Sequence, residues 1–463
     1  MPRRTPLPPS VTRVDRMWNR GRDWVVTAAM AIFGFLLAFV LVEVDDRFQV
    51  SPSTERLFLY SGDAGSASTL LAAIAGATIT VAGVIFSANF VTMQLASSSY
   101  TPRIIRTLTR KRNLQSVLGV FVGTFVYAIM VLRATTAETA SGPEFVPVIS
   151  VTVAMLLALI SVGALVFFVH YGTKTMQPAF LIGSAAQDSI GLIAGGAPTK
   201  DLSGDPRRRY PGPVDEPSSA VVASHWGYVQ YLNPVMLGAL AERLDLIIRI
   251  DVLIGEAVLP GESIVTIWPA SALDEEITRQ ILDAYEFGDE RTPEQDIEFG
   301  FQRVQDIALK ALSPAINDPT TARWCIDRLG DMLVMLGRNP VNPYHVEGAL
   351  GQDRILWNDR LFERCVDISF TQIRYYGSGD PVVVEHLLGV MRRITLLVPP
   401  SCVPYITAQA QLIREQALAR APMKTDRDRI ERAAQWSNLS LITDGVQSAS
   451  PSAKKTEEAT VQR

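Results

Sequence analysis

The chain has 463 residues, 48% of them hydrophobic, with 43 Lys and Arg against 47 Asp and Glu and a net charge of −4. At roughly 150 residues per domain that length suggests about three structural units, but the long apolar runs fall almost entirely before residue 172 and the charged residues after it, which excludes a single soluble globule. Excess basic charge occurs only beside apolar runs, so the chain lacks the basic surface that phosphate binding needs and nucleic acid is excluded as a partner.

Four segments reach the length of about 20 apolar residues needed to cross a bilayer core of about 30 Å. They run from Trp24 to Val44, Leu70 to Leu95, Leu114 to Leu132 and Val146 to Tyr171. The first follows an Arg-rich stretch and has no small-residue cleavage site after it, so it reads as a retained helix and not a signal peptide. Cytoplasmic loops retain Lys and Arg. Arg3, Arg4, Arg13, Arg16, Arg20 and Arg22 precede the first span, and Arg103, Arg106, Arg110, Lys111 and Arg112 lie between the second and third. The other two loops are mainly acidic, with Glu43, Asp45, Asp46, Glu55, Asp63, Glu138 and Glu144. Both termini are therefore expected in the cytoplasm. Cys325, Cys365 and Cys402, odd in number and widely spaced, suit a reducing compartment and supply neither a disulfide framework nor a zinc site.

The second span is richer in small and polar residues than the others. Gly76, Thr80, Gly83, Ser87 and Gln94 recur at offsets of four, seven, eleven and eighteen, so they form one helical stripe. Such a stripe serves either close helix packing through small residues or a solute path, where polar side chains are tolerated at membrane depth. Gly119-Val120-Phe121-Val122-Gly123 in the third span is a GxxxG pattern and reads as a packing face. No Asp, Glu, Lys or Arg lies deep in any span, which argues against ion-coupled pumping.

After the spans, Gln177 to Ala194 reads as amphipathic, and Gly195 to Ser219, with five prolines, as a linker. From Val221 to Trp268 the pattern is β-like, interrupted by a helical insertion at Pro234 to Arg243. Gly255-Glu256 and Gly261-Glu262 lie six residues apart between apolar positions and predict tight turns in a small barrel. This stretch looks like half of a biotinyl or lipoyl hammerhead. It contains no lysine, so no covalent lipoyl or biotinyl arm is expected and the module reads as structural or binding.

The remainder reads as helices, first Leu273 to Phe287, then Asp296 to Leu312. The most distinctive sequence is the corner from Ala311 to Ala322. There Pro314 ends one helix and Asp318-Pro319 supplies the N-cap and first residue of the next, a device repeated at Asp380-Pro381. Ser313, Asn317 and Asp318 are the candidate site of this corner, either as a rigid turn or as polar groups converging with helix amides on an anion. The segments expected are a basic N-terminus at 1–23, a four-helix transmembrane domain at 24–171, an amphipathic segment and linker at 172–220, a hammerhead-like β-barrel at 221–272, a helical cytoplasmic domain at 273–444 and a disordered tail at 445–463.

The chain has no G-x-x-x-x-G-K-[ST] and no G-x-G-x-x-G after a strand. His170, His225, His345 and His386 are scattered without metal-ligand spacing. No catalytic, cofactor or metal residues are therefore expected, and no enzyme. Phe86-Ser87-Ala88-Asn89-Phe90-Val91-Thr92-Met93-Gln94-Leu95-Ala96-Ser97, Ser99-Tyr100-Thr101-Pro102-Arg103, Gly119 to Tyr127 and the Ala311 to Ala322 corner together resemble the bacterial predicted membrane proteins grouped as domain of unknown function 2254. The resemblance implies a bacterial inner-membrane protein with four spans and a cytoplasmic α+β region, and it implies no activity. Two functions are consistent with these features. One is a homo-oligomeric channel or passive transporter for a small solute or ion, with a cytoplasmic vestibule or gate. The other is a sensor or scaffold anchored in the lipid bilayer whose cytoplasmic domain binds a ligand or protein.

Overall fold

The structure, a computed structural model, describes residues 25–48, 60–99, 112–135, 145–175, 177–196, 217–341, 344, 350–351, 354–357 and 360–447. The basic N-terminus, the basic loop at 100–111, most of the expected linker and the tail from 448 onward lie outside the described residues. Two compact units divide after Leu181.

The first unit carries four long helices, α1 (Val25–Phe48), α2 (Ala64–Ser99), α3 (Arg112–Ala134) and α4 (Val148–Thr175). Each is long and apolar enough to cross a membrane. Ala38, Leu71, Ala75, Tyr127, Val131 and Ala154 build a core between them. Small residues allow α1 and α3 to approach closely. A Cβ at Gly34 would collide with the Gly123 carbonyl oxygen, and one at Gly123 would lie 2.8 Å from the Met30 carbonyl oxygen. The GxxxG of α3 is thus a packing face.

At one end of this unit the Asp45 side chain, 3% exposed, reaches the first turn of α4. Its carboxylate accepts from the amides of Ile149 and Ser150, both at 2.9 Å, and from the Ser150 hydroxyl at 2.7 Å. The orphan amides of a helix start favour an anion, so Asp45 fastens α1 to α4. Tyr127 of α3 adds a third helix to this junction by donating to the Ser150 carbonyl at 2.9 Å.

The second unit includes most of α5 (Pro178–Gly195) and a mixed region of small sheets followed by helices. Its strands are β1 (Ser219–Val222), β2 (Gly227–Leu232), β3 (Ile247–Ile250), β4 (Ala257–Val258), β5 (Ser263–Trp268), β6 (Tyr285–Gly288) and β7 (Ile355–Leu356). They form a four-stranded sheet in the order β1-β5-β3-β7 and a three-stranded sheet in the order β4-β2-β6. Val229, Leu232, Ile248, Ile250, Ile264 and Ile267 are buried in one core. The expected closed barrel does not form among the described residues. β2 is occupied on both edges by β4 and β6, so it does not continue the larger sheet.

The turn reading is seen directly. Gly255 and Gly261 have φ of 85° and 87°, the left-handed region that glycine adopts without penalty. Each ends a Leu-x-Gly-Glu turn whose glutamate carboxylate accepts the leucine amide, Glu256 from Leu253 at 2.8 Å and Glu262 from Leu259 at 2.9 Å. The two turns are tied back in the same way, the Gly255 amide donating to the Val229 carbonyl of β2 and the Gly261 amide to the Ala223 carbonyl just after β1, both at 2.8 Å.

The helices of this unit are α6 (Pro234–Arg243), α7 (Glu275–Asp283), α8 (Ile297–Ala311), α9 (Pro319–Arg338), α10 (Leu361–Gly377), α11 (Pro381–Thr395), α12 (Val403–Arg420) and α13 (Lys424–Gln447). The expected single helix from Leu273 to Phe287 is α7 followed by β6. Tyr285 is buried and stacks on Phe287 with ring centroids 5.8 Å apart, and the pairing of Leu232 with Tyr285 and of Tyr228 with Gly288 captures the segment as an edge strand. α8 anchors α5, since Ser189 donates to the Ile297 carbonyl at 2.7 Å and accepts from the Gly300 amide at 3.0 Å. The buried Arg303 of α8 pairs with Asp188 at 2.8 Å.

Candidate functional sites on the second helix, the corner and the charged pocket

The outward faces of the membrane-type helices differ in chemistry. Large apolar side chains are exposed along α1 and α4, among them Phe33, Phe39, Leu159 and Val166, as expected of surfaces turned to lipid. On α2 the inner side is Ala67, Leu71, Ile74, Ala75, Thr78, Ala82 and Ile85, all buried. Gly76, Thr80, Gly83, Ser87 and Gln94 are all exposed. Among the described residues a Cβ at Gly76 or Gly83 would meet nothing within 4 Å, so the glycines of the stripe make no close packing with them inside the unit. Thr80 returns its hydroxyl to the Gly76 carbonyl at 2.7 Å, the usual way a hydroxyl is satisfied on an apolar helix. The stripe spans about 27 Å at roughly 1.5 Å per residue, close to the hydrocarbon thickness of about 30 Å. Ile79, Val84, Phe86, Phe90 and Val91 are exposed around it.

At the corner, the Ser313 hydroxyl and the Asp318 carboxylate engage local partners, while the bond of Asn317 is made by its backbone amide. The Ser313 hydroxyl donates to the Lys310 carbonyl at 2.7 Å, and the Asn317 amide to the Ser313 carbonyl at 2.8 Å. Asn317 takes φ of 46°, a left-handed conformation that asparagine tolerates better than most residues. Asp318 caps α9, its carboxylate accepting from the Thr321 amide at 3.1 Å and the Thr321 hydroxyl at 2.5 Å. Those two bonds, the hydroxyl first, hold the Asp318 carboxyl below the usual carboxylate range. Asp380 caps α11 in the same way, accepting from the amides of Val382 and Val383.

A third feature escaped the sequence reading. A pocket of about 360 Å³ opens in the second unit between the sheet and the first turns of α10. Arg249 and Asp251 line its sheet side, and Arg360, Glu363, Arg364 and Asp367 its helix side. The helical residues are spaced at i, i+3, i+4 and i+7, so the charged face was legible as a stripe, but its partner across the pocket was not. Among the described residues no three His, Cys, Asp or Glu side chains gather as a metal-binding group. Cys325, Cys365 and Cys402 are free and buried, and burial raises all three thiol pKa values.

Four membrane-length helices and a mixed helical and sheet unit with a charged pocket define a membrane-type protein with a sizeable polar half. The family described as predicted membrane protein DUF2254 matches residues 20–393, and the chain belongs to it. An uncharacterized protein of Mycobacterium bovis and one of Mycobacterium tuberculosis are each 29% identical to it over 384 residues, covering 81% of this chain and 73% of the relative. No solved structure matches.

Proposed function

We propose that the protein is a homo-oligomeric channel or passive transporter of the bacterial inner membrane, in which α2 helices of neighbouring copies line a path for a small solute or ion. The observation that carries this reading is that α2, unlike the large apolar outward faces of α1 and α4, exposes a continuous stripe of small and polar residues between its exposed apolar side chains. Polar groups at membrane depth are costly against lipid, and close helix association favours small residues. The clusters of arginine before α1 and between α2 and α3 support a cytoplasmic side for both termini and the second unit, where the second unit would form a vestibule or gate. The paired Leu-x-Gly-Glu turns support a hammerhead-like structural module in that unit. We assign the chain no enzymatic reaction and no cofactor.

The test is flux of ions and small solutes through liposomes containing the purified protein, compared with Gly83→Leu. Flux that is blocked by Gly83→Leu while the protein remains folded supports the path; flux indistinguishable from empty liposomes refutes it. The charged pocket favours a second reading, a membrane-anchored sensor, which predicts ligand binding without flux.

A further inference from the structure

The pocket at the start of α10 is lined by both paired and partly paired charges. Two of its ion pairs are complete in themselves. Arg249 donates to Asp251 at 2.6 Å, and the other Asp251 oxygen accepts from the hydroxyls of Ser263 at 2.7 Å and Thr266 at 2.6 Å. Arg360 grips Glu363 with two bonds of 2.9 and 3.0 Å. These pairs form walls and leave little charge for a ligand.

Three other groups are only half used. Arg364 donates through Nε to Glu298 at 2.6 Å, and among the described residues its terminal nitrogens make no hydrogen bond. Glu256 spends Oε2 on the Leu253 amide at 2.8 Å, and Asp367 spends Oδ1 on the Gln409 amide nitrogen at 2.6 Å. The second oxygen of each carboxylate makes no hydrogen bond among the described residues. Behind Asp367, Gln409 is 7% exposed, and among the described residues its own Oε1 has no partner. The start of α10 has no side-chain cap, its N-cap residue being Arg360, whereas α6, α7, α8, α9 and α11 are each capped by an Asn or Asp side chain.

The geometry points to a binding site for a small zwitterion of the amino-acid or dipeptide class. The free edge of the Arg364 guanidinium, next to an uncapped helix start, suits a carboxylate because a planar fork of donors matches two oxygens. The unspent oxygens of Glu256 and Asp367 suit an ammonium group. An anion alone would leave the spare oxygens of Glu256 and Asp367 unanswered, and a cation alone would leave the terminal nitrogens of Arg364, whose Nε is held by Glu298, unanswered. The volume lies at the low end of the range of about 300–1,000 Å³ for ligand pockets, which fits an amino acid or dipeptide better than a nucleotide. This site lies wholly within the second unit and holds whether or not α2 lines a path. It would also give the sensor reading its ligand class.

The test is calorimetric titration of the full chain in detergent with the common L-amino acids and with dipeptides. Acetate, inorganic phosphate and ethylamine serve as single-charge controls. At least one zwitterion should bind saturably while the controls do not. Glu256→Gln and Asp367→Asn keep an oxygen for the Leu253 and Gln409 bonds, so they should fold normally. Each should weaken binding by about tenfold or more, as should Arg364→Met. Binding by none of the zwitterions, equal binding of a single-charge control, or unchanged affinity in both carboxylate variants would overturn the proposal. Failure of liposome flux has no bearing on these outcomes, so the two ideas fall separately.

Discussion

Adding one methyl group at each glycine of the first unit distinguishes faces that pack inside the protomer from faces that do not. At Gly34 the new Cβ meets the Gly123 carbonyl oxygen, and at Gly123 it falls 2.8 Å from the Met30 carbonyl oxygen. Both obstacles are backbone, so the helices must separate. Overpacking costs about 1–3 kcal/mol, while replacing glycine by alanine in a helix returns about 1 kcal/mol. Gly34→Ala and Gly123→Ala should therefore be destabilising by up to about 2 kcal/mol. Gly119→Ala should be milder, because its nearest obstacle is the Met30 sulfur at 2.5 Å, the far end of a flexible side chain. Gly83→Ala meets nothing within 4 Å and should stabilise an isolated protomer by up to about 1 kcal/mol. Thermal unfolding followed by circular dichroism, in a detergent that dissociates any oligomer, reads all four. If Gly83→Ala destabilised the isolated protomer as much as Gly123→Ala, the outward placement of the α2 stripe would be wrong.

Two further substitutions test individual caps. Asp45→Ala removes the acceptor for two α4 amides and a hydroxyl and should cost on the order of 2–3 kcal/mol in unfolding measurements, with Asp45→Asn costing less because one oxygen remains; a neutral result would show that α1 and α4 are not fastened there. Asp318→Ala should cost about 0.5–2 kcal/mol and Asp318→Ser or Asp318→Asn should restore most of it. The depressed Asp318 pKa has a definite sign. Its contribution is fully present above the ordinary aspartate value of about 3.9, and it is lost as pH falls through the lower folded value. The wild-type stability should therefore fall faster on acidification than that of Asp318→Asn. A stable Asp318→Asn protein with abolished flux or ligand response would instead show that charge, and not capping, is what the corner supplies.

Local chemistry made some of these features readable in advance. Membrane length is a property of uninterrupted apolar runs, so the four helices were visible, although each extends a few residues beyond the apolar core. Asp318-Pro319 and Asp380-Pro381 combine an amide acceptor with a residue that lacks an amide of its own, and both start helices. Gly255 and Gly261 were legible as turns because each stands between apolar positions and before an acid. Features that depend on distant partners were not readable. Asp45 resembled an ordinary loop acid until α4 supplied its donors 104 and 105 residues later. Tyr285 continued an apolar helical pattern and became a strand because β2 offered an edge. The pocket joins residues near 250 to residues near 364, and the parallel pairing of Ile248 with Ile355 helps bring them together. The α2 stripe was visible as a periodicity, but whether it faced inward or outward depended on where α3 and α4 pack.

A path between α2 helices requires that the α2 stripe lie between copies of the chain. Oxidative cross-linking in native membranes tests this directly, using Gly83→Cys and Ser87→Cys with Leu159→Cys on the apolar face of α4 as the comparison. The native cysteines are buried and should give little background. Rapid covalent dimer formation at residues 83 and 87, but not at 159, is the predicted result. No dimer at either stripe position, together with efficient cross-linking at residue 159, would contradict it.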